Sequence, residues 1–301
     1  MSDLPELFPG FDAQLISTSQ ADIFARIGGA GPPLLLLHGF PQTHVMWHAM
    51  APSLAEHFTL VIADLRGYGQ SSCPESESKH AAYSKRHMAR DMVEAMGTLG
   101  HERFAVLAHD RGARATYRLA LDDPDRITRM ALLDIVPTYT MWNGMGQALA
   151  LRAYHWLFLA QPEPLPETLI AGAPDYYAEH TLASWTASKD LSAFDAKALA
   201  HYRAQLATRD RIHACCEDYR AGATCDLEAD RADYEAGRKI TCPTCVVWGS
   251  AGFPGETGSP LDIWREWCSD VEGGAVDCGH FVAEELPQET LKAVLPFLMR
   301  S

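Results

Sequence analysis

Short apolar runs alternate with helical patterns along the first 137 residues, and that alternation leaves few folds open. Ile23 to Ile27, Pro33 to His38, Leu60 to Asp64, Phe104 to Ala108 and Met130 to Leu133 read as strands. Pro33 to His38 is an apolar run ending at Gly39, as expected of a strand covered on both faces. Ser84 to Leu99 has helical spacing, with Met88, Met92, Ala95, Met96 and Leu99 on one side and Gly100 as its stop. Arg111 to Leu121 is a second helical stretch. Strand–helix–strand repetition predicts an α/β fold, a mostly parallel sheet with helices on both faces.

From Thr138 to Cys225 the alternation stops. This stretch is rich in Trp, Tyr, Ala and His and reads as several helices with Pro-rich breaks, for example Gln161 to Pro166. Strands resume at Thr244 to Trp248 and Gly274 to Asp277, with a helix at Leu261 to Trp267 between them. The expected organisation is one core domain over residues 1–137 and 226–301, with a helical cap over 138–225.

Charge and composition narrow the partners. Lys and Arg total 25 against 39 Asp and Glu, a formal net charge of −14. Such a field repels nucleic acid and anionic lipid, so neither is expected as a partner. A small anion needs local positive charge to bind. Apolar runs such as Leu34 to Leu37 fall far short of the ~20 residues of a spanning helix. Met1 to Gly10 has no secretory pattern, so the eight Cys read as reduced thiols of a cytoplasmic protein. The pair Cys242 and Cys245 overlaps a strand and reads as structural. Gly28 to Gly31 precedes a strand and reads as a turn, not a phosphate loop. No cofactor or metal is expected.

The chemistry concentrates where Phe104 to Ala108 runs into Ala108-His109-Asp110-Arg111-Gly112 and a helix follows. A strand–tight turn–helix unit holds its central side chain clear of the backbone at a helix N-terminus. Here that side chain is Asp110, which can attack an sp³ carbon, displace a leaving group and form an alkyl ester. The competing reading is a plain helix N-cap. His280, just after the last strand, suits a base near neutral pH. The order nucleophile, acid, His is the hydrolase arrangement. The loop after Trp248 contains no Asp, and Glu256 lies eight residues past that strand. Asp134 ends the preceding strand and faces the same crevice as the elbow, so it is assigned to hold His280.

His38-Gly39-Phe40-Pro41-Gln42-Thr43, Asp64-Leu65-Arg66-Gly67-Tyr68-Gly69-Gln70-Ser71 and the Asp elbow resemble the α/β-hydrolase superfamily. The resemblance covers essentially the whole chain and implies an eight-stranded, mostly parallel sheet with the cap inserted after strand 6. It narrows to the branch of haloalkane dehalogenases, epoxide hydrolases and fluoroacetate dehalogenases. His109-Asp110-Arg111-Gly112-Ala113-Arg114, Asp134, Tyr154-His155-Trp156 and Glu217-Asp218-Tyr219-Arg220-Ala221-Gly222 are similar to the last group. One departure is Ala108, where the elbow often has Gly. The resemblance implies that His155, Trp156 and Tyr219 hold a departing halide, and it suggests a homodimer.

The two arginines support that subgroup by their chemistry. Arg111 stands where the other groups typically put Trp. Arg111 and Arg114 share one helix face, and two guanidinium forks beside Asp110 suit a substrate carboxylate, each binding it bidentately. Arg118 reads instead as a surface ion-pairing residue. The expected reaction is hydrolytic dehalogenation of a haloacetate. Asp110 attacks the α-carbon, and His280, oriented by Asp134, activates water against the resulting ester. Backbone N–H groups of Phe40 and Arg111 meet the oxyanion. Two rivals stand beside it: an epoxide hydrolase, which leaves the arginine pair unexplained, and a non-catalytic hydrolase fold that binds a small ligand.

Overall fold

The structure, a computed structural model, describes residues 4–77 and 79–300, apart from the side chain of Glu256. Eight strands form one sheet in the order β1 (Asp12–Ser17), β2 (Asp22–Gly29), β4 (Thr59–Ala63), β3 (Pro33–Leu37), β5 (Phe104–His109), β6 (Ile127–Leu133), β7 (Thr244–Gly249) and β8 (Val271–Val276). β2 pairs antiparallel with β1 and β4; every other pair is parallel. The central strands β3 and β5 are buried almost end to end, as their unbroken apolar runs require.

Two strands differ from the sequence expectation. β1 was not expected, because Ile16 is its only buried residue and it shows no apolar run. β8 begins at Val271, three residues before the expected Gly274. Its first half, Val271-Glu272-Gly273, lacks strand-like composition, and its register comes from pairing with β7, Thr244 opposite Val271.

Around the sheet lie α1 (Ala51–Ala55), α2 (Lys85–Thr98), α3 (Asp110–Asp122), α12 (Pro260–Trp267), α13 (Val282–Glu285) and α14 (Pro287–Leu298). Between β6 and β7 the chain forms α4 (Thr138–Asn143), α5 (Gln147–Arg152), α6 (Tyr154–Leu159), α7 (Leu165–Ala171), α8 (Pro174–Trp185), α9 (Ala196–Gln205), α10 (Arg209–Ala223) and α11 (Cys225–Glu235). This is the helical insertion after β6. No helix among the described residues is long and apolar enough to cross a membrane. All eight Cys are free, and Cys242 and Cys245 are buried.

Buried ion pairs fasten the helices to the sheet. Arg118, expected at the surface, is buried on α3 and meets Asp122 at 2.9 Å and Asp233 of α11 at 2.5 Å. A helix face that looks solvated in sequence is covered by α11. After β4, Asp64 accepts from the backbone N–H groups of His44 (2.7 Å) and Gln70 (2.8 Å). Burial disfavours its charge, but His44, His38 and these N–H groups hold its carboxyl at about 2. Gly69, at φ +51°, passes so close to Asp64 that a Cβ there would overlap the carboxylate. Arg66, also buried, presents Nε and Nη2 to Asp91 of α2, both at 2.6 Å.

Removing one partner of such a pair strands the other charge. Asp91→Ala is expected to cost about 3–5 kcal/mol, read as a lower urea midpoint. A loss below about 1 kcal/mol, the scale of surface pairs, would contradict this account.

Candidate active site

The C-terminal end of the sheet assembles the candidate residues. β5 delivers His109 and α3 begins at Asp110, which sits at φ +42°, a region a non-Gly residue rarely occupies. The tight turn needs two glycines. A Cβ on Gly112 would run into the His38 carbonyl and Leu37, and one on Gly39 would run into Asp110 itself. The two Asp110 oxygens become inequivalent. Oδ2 accepts from the Phe40 N–H at 3.0 Å, while Oδ1 lies 3.9 Å from Arg114 Nε. Burial works to protonate this carboxyl, but the charges of His280, Arg111 and Arg114 outweigh it and lower its pKa, so Asp110 is ionised near neutral pH.

Asp134 follows β6 at φ +52°, aimed into the same end of the sheet. Its Oδ1 accepts from the Gly249 N–H at 2.9 Å and its Oδ2 from His280 Nδ1 at 2.5 Å. A Cβ on Gly252 would overlap the Asp134 carboxylate, so the loop after β7 must be Gly there. The His280 backbone is held on both sides, its N–H by the Trp185 carbonyl and its carbonyl by His109 Nε2, each at 2.9 Å. Desolvation holds His109 at about 3, so it serves this contact as a neutral ring. For His280 desolvation is outweighed. The hydrogen bond and charge of Asp134, with Asp110 and Glu285, raise its pKa above the ordinary value. Glu256, the other acid near β7, has its side chain outside the described residues.

Arg111 departs from the expected bidentate arrangement. The Arg111 fork is already occupied by Asp218 of α10: Nε meets Oδ2 at 2.9 Å, and Nη2 meets Oδ1 at 2.5 Å and the backbone carbonyl at 2.8 Å. Asp218 also accepts from Lys85 Nζ and, at 2.8 Å, from the Tyr68 hydroxyl. Burial opposes the charge on Asp218, but Arg111 and Lys85 prevail and push its pKa far down. Arg114 donates through Nη1 to the Val136 carbonyl (3.0 Å) and Thr138 Oγ1 (3.1 Å). What remains is one buried nitrogen on each arginine with no acceptor, Arg111 Nη1 and Arg114 Nε.

The cap closes the site with rings. Arg111 lies 4.2 Å over the Tyr219 ring and Arg114 4.6 Å over the Trp156 ring. His155 Nδ1 is buried without a partner, and desolvation, opposed by Asp110, leaves the ring neutral. Desolvation also keeps the Tyr219 hydroxyl protonated. Asp110, Arg114, Asp134, His155, Trp156 and His280 line one cavity with Ile135, Val136, Met141, Phe253 and Pro254. It is a small cavity, partly open to solvent. Arg111, Tyr219 and Phe40 adjoin this lining, against Trp156, His155 and Asp110 respectively. The Tyr219 ring centroid is 5.6 Å from His155, 6.1 Å from Trp156 and 5.3 Å from Phe40.

Asp218, Lys85 and Tyr68 were not identified from sequence as parts of this arrangement. Asp218 and Tyr68 lie inside recognised motifs, but only the fold shows that they converge on Arg111. Phe253 had no signal at all, since it comes from an irregular loop.

The geometry and the comparisons agree on the class. The α/β-hydrolase fold family matches residues 32–287, and the chain belongs to it. A fluoroacetate dehalogenase of Burkholderia sp is 42% identical over 97% of this chain and 95% of its own length. A soluble epoxide hydrolase of Corynebacterium sp. (strain C12) is 32% identical over 89% of this chain and 91% of its own. A solved structure from Pseudomonas aeruginosa, provisionally designated an epoxide hydrolase, is 45% identical with a TM-score of 0.91, covering 98% of this chain and 97% of that one. The protein is a hydrolase of α/β fold, with relatives in both the dehalogenase and epoxide hydrolase groups.

The raised His280 pKa has a sign that can be checked. The wild-type imidazole, followed by NMR, should titrate above the ordinary ~6.5. Asp134→Asn removes the charge that favours imidazolium, so the midpoint should fall. An unchanged or higher midpoint would mean that Asp134 does not act on this ring.

Proposed function

We propose that this protein hydrolyses the carbon–halogen bond of a haloacetate. The observation that carries the reading is the pair of buried, unpartnered donors, Arg111 Nη1 and Arg114 Nε, beside an ionised Asp110. Buried N–H groups without acceptors are costly, and a bound carboxylate would satisfy both. Asp218 occupies Nε and Nη2 of Arg111 and leaves its Nη1, while Val136 and Thr138 take Nη1 of Arg114 and leave its Nε side to a ligand. An epoxide brings no anion to these donors.

In this mechanism the substrate carboxylate lies on the arginine N–H groups. Asp110 Oδ1, the oxygen without a backbone donor, attacks the α-carbon, and the C–halogen pair leaves with the halide. His155, Trp156 and Tyr219 can meet the departing ion with one ring N–H, one indole N–H and one phenol. The product of this step is an ester on Asp110, with Oδ2 as its carbonyl oxygen. His280 Nε2 takes a proton from water, which attacks Cγ of Asp110. Negative charge develops on Oδ2, already seated on the Phe40 N–H, with the backbone N–H of Arg111 as the second donor. On collapse the His280 imidazolium returns its proton to the leaving alkoxide oxygen, glycolate is released, and the Asp110 acid loses its proton to restore the carboxylate. The local arginine charge admits an anion to a chain of net charge −14.

The test is product release across fluoroacetate, chloroacetate, a chloroalkane and an epoxide. Halide is expected from the haloacetates, with little reaction of the neutral compounds. Arg114→Ala should lower kcat/KM for chloroacetate by the equivalent of about 2–5 kcal/mol, the loss of one desolvated charged contact. Faster turnover of the epoxide than of any haloacetate would replace this reading with the epoxide hydrolase one.

A further inference from the structure

The His280 ring can activate water only while the backbone on either side of it is held in place. One carboxylate outside the reacting set does this. Glu285, half-buried at the end of the short helix α13, accepts three backbone N–H groups. Its Oε2 takes the Gly279 N–H at 2.9 Å and the Ala187 N–H at 2.8 Å, and its Oε1 takes the Phe281 N–H at 3.0 Å. Two of these donors flank His280 directly. The third belongs to the inserted helical segment, two residues after Trp185, whose carbonyl holds the His280 N–H.

The two backbone stretches are in van der Waals contact. A Cβ on Gly279 would overlap the Trp185 carbonyl and the Ala187 nitrogen, so Gly279 is required by the approach itself. The Trp185 ring stands 5.4 Å from the His280 ring and 4.2 Å from His155. Hydrogen bonds from N–H to an ionised carboxylate are about twice as strong as neutral ones. A neutral amide at this place turns an NH₂ group toward at least one of the donors and leaves it unpaired.

We propose that Glu285 is a positioning residue for His280. It aligns the ring for water activation by tying residues 279–281 to residues 185–187 of the insertion. The proposal rests on the haloacetate reading and deepens it by assigning Glu285 to ester hydrolysis and not to halide displacement. Asp110, Arg111 and Arg114 hold the first step without it, since none of them hydrogen-bonds Glu285 among the described residues.

The experiment compares Glu285→Gln with wild type under rapid mixing with chloroacetate, with the enzyme examined by intact mass. Glu285→Gln should release one chloride per site at the wild-type burst rate. Steady-state turnover should then fall about tenfold to a hundredfold, the scale of a small misplacement of a catalytic group, as the ester accumulates. The burst amplitude counts folded sites, so a folding defect is read separately. Glu285→Asp keeps the charge and should lose less turnover than Glu285→Gln. A burst rate that falls as far as turnover, or no loss of either, overturns the positioning role. His280→Ala is run in parallel. If it traps the ester while Glu285→Gln behaves as wild type, only the Glu285 proposal is rejected. If it gives neither burst nor adduct, the haloacetate reading is rejected and this proposal with it.

Discussion

A carboxylate buried at the end of a central strand must be kept charged if it is to attack carbon, and burial alone would protonate it. Asp110 is almost inaccessible to solvent. The charges of His280, Arg111 and Arg114 and the Phe40 N–H together hold it ionised. Each of these groups needs its own support. Arg111 is a buried cation neutralised by Asp218, which in turn gathers Lys85 and Tyr68. His280 is held by Asp134, and Asp134 by the Gly249 N–H. The site is therefore a set of nested compensations around one charge, and the left-handed backbone at Asp110 and Asp134 is tolerated within it.

Asp218 also sets how the two arginines can be used. It lies on α10, in the insertion between β6 and β7, while Arg111 lies on α3 of the sheet-covering layer. The ion pair thus fixes the insertion and the elbow relative to each other. It leaves Arg111 only its Nη1, and Val136 and Thr138 take Nη1 of Arg114 and leave its Nε without an acceptor. Donors on guanidinium groups anchored in this way are preorganised and lose little freedom on binding an anion. Lysine in place of Arg111 could not hold Asp218 and a ligand at once in this planar arrangement.

Much of this was legible in the sequence, for physical reasons that differ by residue. The parallel sheet follows from apolar runs that must be covered on both faces, as in β3 and β5. The elbow was readable because a strand, a polar apex and a helix are contiguous. Asp134 was reachable by elimination, since the loop after Trp248 offers no Asp. The edge strand β1 was not readable, because an exposed strand has no burial pattern to show. Arg118 was misplaced to the surface because its covering helix, α11, lies over 100 residues away in sequence. The sharing of Arg111 with Asp218 was hidden for the same reason. Propensity and spacing report local structure, whereas the division of a guanidinium among partners is decided by tertiary packing.

The central claim is that Asp110 forms a covalent ester through Oδ1 and that water then attacks its own carbonyl carbon. A single turnover of chloroacetate in heavy-oxygen water, with enzyme in excess, reads this directly. The glycolate of that first turnover should carry the original Asp110 oxygen, and the heavy label should appear in the Asp110 peptide on mass spectrometry. Label found only in the glycolate, with Asp110 unlabelled, would mean that water attacks the substrate directly and would contradict the account.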